Sequence, residues 1–115
     1  MPSTQLTTAY RAALERHDDA RRTLVPLLEQ IAIETVAEVF PGAAHLEAVG
    51  EVNEDWIPTL RIERVLTASG VMLFDASHGH PERTVEDVVD MVNVEYLDVL
   101  IDITGDDYMG SVTIG

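Results

Sequence analysis

The sequence predicts an α+β fold: a long N-terminal helix, a three-stranded antiparallel meander, an acidic C-terminal helix and a short final strand. Three patterns predict it. Apolar residues recur at alternating steps of four and three from Leu6 to Ile31, the spacing of a helix face. Residues 57–66 switch to a period of two, which a half-buried strand requires. From Val85 onward the helical spacing returns. At 115 residues the chain supports one hydrophobic core and one domain, residues 1–115.

Residues 1–40 read as the helical segment. Leu6, Tyr10, Ala13, His17, Ala20, Leu24, Leu27 and Ile31 form a heptad-like seam. Ser3 or Thr4 supplies the N-cap and Pro41-Gly42 the stop. Pro26 lacks the N–H that would reach the Arg22 carbonyl and crowds that carbonyl, which predicts a kink or a break near this point. After Pro26 the apolar set broadens to include Leu28, Ala32, Val36, Val39 and Phe40, so the second half is expected to be the better buried.

Residues 43–75 read as antiparallel sheet. The first strand, 45–52, places Leu46, Ala48, Gly50 and Val52 on one face. Asn53-Glu54-Asp55 is turn chemistry, and the following strand directs Leu60 and Ile62 inward, with Arg61 and Glu63 opposite. Pro58 in that strand argues for an edge position. Ser69-Gly70 then turns the chain into the apolar run 71–74.

Residues 76–83 are loop, and 84–104 form the acidic helix. Glu86 and Asp87 suit the positive end of its dipole. Val85, Val88, Val89, Val92, Tyr96, Val99, Leu100 and Ile103 share one helical face, with Gly105 beyond its end. Residues 97–103 also alternate like a strand that Gly105-Asp106-Asp107 could turn into a hairpin. The helix accounts for more apolar positions and directs the acids outward. Residues 105–115 are tail or edge strand.

Charge is the strongest functional signal. The chain has no lysine, and its seven arginines face 21 acids, for a net charge of −14. Residues 1–42 hold four arginines and six acids, a net of −2; residues 43–115 hold three and 15, a net of −12. Such a body repels nucleic acid and anionic membranes, and attracts basic surfaces. No apolar stretch approaches a membrane span and no basic leader opens the chain. Without cysteine there are no disulfides and no thiol chemistry. A cytoplasmic location is expected.

On a helix, Glu86 with Asp90 and Asp98 with Asp102 each lie one turn apart, about 6 Å. A row of carboxylates at this spacing approximates a nucleic-acid backbone and steers a basic partner. The expected function is therefore a non-enzymatic acidic binding protein, in the manner of a DNA mimic or an immunity protein that inhibits a nucleic-acid-binding protein. The simpler alternative is a solvated helix face.

Glu54, Asp55 and Trp56 make a second candidate patch. A lone tryptophan at a turn either caps the core or stands out as an interface anchor. Asp75, His78 and His80 include metal-ligand types, but the remaining histidines, His17 and His45, lie elsewhere, so a small metal-binding module or metal-dependent enzyme is a weak alternative and no cofactor is expected. Phosphate-loop and nucleophile-elbow motifs are absent, and the absence of lysine excludes Schiff-base chemistry. A third reading is an assembly subunit that forms a homodimer through the N-terminal seam.

Overall fold

A computed structural model describes residues 4–104 and 108–115. One helix, α1 (Thr4–Val39), runs for 36 residues with Pro26 inside it. The chain thus passes Pro26 without breaking into two helices. The missing hydrogen bond and ring crowding cost about 3 kcal/mol in a helix interior. Burial of Ala32 and Val36 beyond the proline, with Val25, Leu28 and Ile33 packed on the core, offsets that cost. Of the residues considered for the N-cap, Ser3 lies outside the described residues, as does the Gly105-Asp106-Asp107 segment.

The sheet comprises β1 (Ala43–Val52), β2 (Pro58–Thr67), β3 (Met72–Asp75) and β4 (Gly110–Ile114). Among the described residues the strand order is β3-β2-β1-β4, with every pairing antiparallel. The meander is the expected one, and the tail adds the edge strand beside β1. β2 is interior by this order. However, β3 pairs only with Arg64, Val65 and Leu66, so Pro58 begins a strand whose outer flank is open at that end. A missing N–H is harmless there.

The β1–β2 register slips between Glu47 and Ala48, which pair with Arg64 and Ile62 respectively. Glu63 is the extra residue of this bulge. It changes the inward phase of β2, so Leu60 and Ile62 are buried before it and Val65 after it.

The C-terminal helical segment is continuous: α2 (Arg83–Val92), a π-helical turn at Asn93–Leu97, and α3 (Asp98–Thr104). The helical reading of residues 94–104 therefore holds, but its buried face differs from the one read by spacing alone. The π turn inserts an extra residue and rotates everything after it. Burial passes from Val92 to Leu97, then to Leu100 and Ile101, leaving Val99 exposed and Tyr96 and Ile103 only partly covered.

One sheet face packs on both helical segments. Leu46, Leu60, Val65 and Ile114 meet Val36, Val92, Leu97 and Leu100 in a single core. The body is not round. Its radius of gyration is 17.3 Å and its extents are 62 × 31 × 22 Å, against about 13 Å of gyration for a globular chain of this length. The elongation belongs to α1. No residue from Thr4 to Leu24 is buried, and α1 residues packed on the core begin at Val25.

Candidate functional site

The hairpin tip between β1 and β2 carries the most exposed large apolar residue of the body. Trp56 is 87% exposed, and Ile57 and Val52 beside it are exposed as well. The core-capping alternative for Trp56 is thereby corrected. Its position follows from how Asn53 closes the turn. The Asn53 carboxamide Oδ1 accepts the backbone N–H of Asp55 (2.9 Å) and of Ile57 (3.0 Å). The Asn53 carbonyl accepts the Trp56 N–H, and the Asn53 N–H donates to the Ile57 carbonyl. A turn this tightly bonded holds Trp56 at φ 62°, the left-handed region, where a bulky residue is strained by about 1–2 kcal/mol. The indole is thus displayed on a closed turn instead of a loose loop.

The helix acids flank this tip only in part. Asp98 and Asp102 lie with Val99 along a cleft that Ile57 and Pro58 complete. Glu86 and Asp90 line a different cleft with Gly79, Phe74 and Asn93, with a volume of about 220 Å³. The single row of four carboxylates expected from the sequence is therefore divided between two sites.

Two of the four are also engaged internally. The Asp98 carboxylate binds Arg61 of β2 (Nη1 to Oδ1, 2.5 Å), with the second guanidinium nitrogen at 3.4 Å. The expectation that every helix acid points outward fails at Asp98, because Arg61 projects from the neighbouring strand and captures it. Glu86 Oε1 accepts the His80 N–H at 2.8 Å and ties the preceding loop to the start of α2. A Cβ at Gly79 would lie 2.7 Å from that same oxygen, and Gly79 has φ +68°. Asp90 and Asp102 remain exposed. Ile57 and Val99 meet across the cleft that Asp98 and Asp102 edge, and Trp56, Glu54 and Asp55 precede Ile57 at the exposed hairpin tip.

At the end of β3 and in the loop after it, two of the three weak metal candidates, Asp75 and His80, are bonded to different neighbours. Asp75 Oδ1 accepts from the Ser77 hydroxyl (2.6 Å) and the Ser77 N–H (2.9 Å). These bonds, chiefly the hydroxyl one, hold its pKa below the ordinary carboxylate value, with smaller help from His78 and Arg64. His80 Nδ1 accepts the Glu82 N–H, and its ring meets Phe40 edge-on at 5.7 Å. His78 is exposed. Among the described residues no three His, Asp or Glu side chains converge as a metal would require. Likewise, no described helix is long and apolar enough to cross a membrane.

A third cleft, about 860 Å³, lies under α1, where Arg21, Arg22 and Glu29 face Thr104 and Val112. Glu29 accepts a hydrogen bond from the Tyr108 hydroxyl and so joins α1 to the segment before β4.

Sequence reasoning identified Trp56 and its acidic neighbours but missed Val99, whose exposure depends on the π turn, and Arg61, whose tie to Asp98 spans 37 residues. No protein-family model, curated protein or solved structure matches the chain.

Proposed function

We propose that this is a non-enzymatic binding protein whose recognition face is centred on Trp56. The partner surface would be basic, with an apolar recess for the indole. The observation that carries the reading is the 87% exposure of Trp56 on a turn fixed by Asn53. Large aromatic anchors dominate interface energetics when a partner encloses them, and surrounding charges set orientation and association rate. Glu54, Asp55 and Asp102 supply those charges here, backed by the −12 net charge of residues 43–115.

A basic surface of this kind is what a nucleic-acid-binding protein presents, so inhibition or neutralisation of such a protein is the natural consequence. The mode differs from simple phosphate mimicry, because Glu86 and Asp98 are held by internal bonds. A cysteine-free chain suits a reducing site of action such as the cytoplasm.

The test is affinity capture from native lysate with the wild-type chain and with Trp56→Ala. The expected result is a basic protein retained at low salt by the wild type, thinned at about 0.5 M salt, where charge screening is nearly complete. Trp56→Ala should lose it. Retention of the same protein by Trp56→Ala overturns the site.

A further inference from the structure

We infer that a second copy of this chain covers the exposed seam of α1, forming an antiparallel two-helix coiled coil about a two-fold axis between His17 and Ala20. All eight seam positions, Leu6 to Ile31, are exposed although four are large and aliphatic; Tyr10 is 67% and Leu27 49% exposed. Of the α1 residues that meet the body, Val25, Ala32, Ile33 and Val36 lie on a different face and Leu28 borders the seam, so a helix along the seam leaves the core contacts in place. The seam spans 26 residues, about 37 Å, which exceeds the three heptads a coiled coil needs.

The seam is complementary to itself only when reversed. With antiparallel helices, Leu6 faces the partner's Ile31, Tyr10 the partner's Leu27, Ala13 the partner's Leu24, and His17 the partner's Ala20. Each heptad layer pairs an a position with a d position. In the four central layers a large residue meets a small one, which evens the packing volume. A parallel pair would instead stack Ala13 and Ala20 on themselves, leaving voids, and His17 on its mate.

Charge selects the same orientation. The rows flanking the seam carry Arg16 and Arg21 and no acid, while Glu15, Asp18, Asp19 and Glu29 lie on the remaining faces. In a parallel pair Arg16 would face the partner's Arg21 on both sides. Reversed, Arg16 faces the partner's Thr23 and Arg21 the partner's Leu14.

The acidic bodies separate as well. Each body is attached around Ala32 and Val36, so reversal sets the two on the order of 45 Å apart along the axis, several Debye lengths. Each then lies beside the partner's residues 4–12, which hold Arg11 and no acid, a net of +1. A parallel pair would bring two −12 bodies to the same level.

The experiment combines solution mass with cysteine pairing, which is clean in a chain that has no cysteine of its own. Light scattering across a concentration series should give twice the 12.7 kDa chain mass for the wild type. Leu24→Glu should give the single-chain mass with an unchanged circular dichroism spectrum, since Leu24 is outside the core. The double variant Ala13→Cys/Leu24→Cys should form a covalent dimer on mild oxidation. Within one chain these positions are about 16 Å apart along the helix and cannot bridge. Ala13→Cys alone should stay single. A wild-type monomer throughout the series overturns the proposal. So does covalent dimerisation of Ala13→Cys alone, which reports a parallel pair, or a dimer that fails to cross-link in the double variant.

Discussion

Asn93 and Ile62 complete each other's irregularity. Ile62 lies next to the β1–β2 bulge, and the buried Asn93 Oδ1 accepts its N–H at 2.9 Å. Asn93 opens the π turn, so the bulge in the sheet and the extra residue in the helix sit against each other. Asn93→Ala removes the acceptor and leaves a buried donor unsatisfied, at a cost of about 1–3 kcal/mol. Urea unfolding of the variant should show the midpoint fall with an unchanged slope; an unchanged midpoint would mean that water replaces the carboxamide.

The Arg61–Asp98 pair should contribute little to stability and much to the division of the acidic face. Its side chains are 42% and 31% exposed, and pairs this accessible couple by about 0.2–1 kcal/mol. A double-mutant cycle with Arg61→Ala and Asp98→Asn should return a coupling within that range. In partner capture, Asp102→Asn should weaken retention more than Asp98→Asn, because the Asp98 charge is already met by Arg61. Equal losses would show that the partner displaces Arg61.

Much of the fold was legible because its signals are local. Strand alternation, the turn residues at Asn53 and Ser69-Gly70, and the long heptad spacing all concern near neighbours. What stayed illegible depends on distant contacts. Nothing in the sequence around Asn93 indicates a π turn; the residue it bonds, Ile62, lies 31 positions earlier beside the bulge. That turn rotated α3, buried Ile101 and exposed Val99, which altered the candidate site. The N-terminal seam was read correctly as a pattern. Its poorer burial was legible in the small and half-polar residues of its first half; what covers it was not, because heptad spacing alone does not name the partner helix.

Gly50 should be intolerant of any side chain. A Cβ there would lie 1.9 Å from the Tyr108 carbonyl oxygen, where the chain entering β4 crosses β1. The obstruction is backbone, so relief requires moving the strand. Gly50→Ala should destabilise by about 3 kcal/mol, at the upper end of ordinary overpacking. Hydrogen exchange should show protection lost first in residues 110–114. Uniform loss across the sheet would indicate that β4 unfolds only with the whole domain.

The Asp75 loop gives stability an acid-side dependence. Its folded-state pKa lies below the ordinary value, mainly through the Ser77 hydroxyl, so over the acid range the unfolded chain binds more protons than the folded one. The contribution is complete at neutral pH and is lost as pH falls through the folded-state value. Ser77→Ala should raise the titration midpoint of Asp75, followed by carboxyl carbon NMR, and reduce the pH sensitivity of stability on the acid side. An unmoved midpoint would assign the shift to the Ser77 N–H, which alanine retains, with His78 and Arg64 behind it.

Trp56 separates display from strain. At φ 62° any residue with a Cβ is strained, whereas glycine is not. Trp56→Ala and Trp56→Gly both delete the indole, which is exposed and contributes nothing to the core. Only the glycine variant relieves the backbone. Trp56→Gly should therefore be more stable than Trp56→Ala by about 1 kcal/mol, after allowance for the added freedom of glycine in the unfolded chain. Both should lose the captured partner equally, since binding follows the side chain and stability follows φ. Thermal or urea unfolding of the two variants beside the wild type reads the first quantity, and capture reads the second. Partner retention by the glycine variant alone would place recognition in the turn backbone and not in the indole.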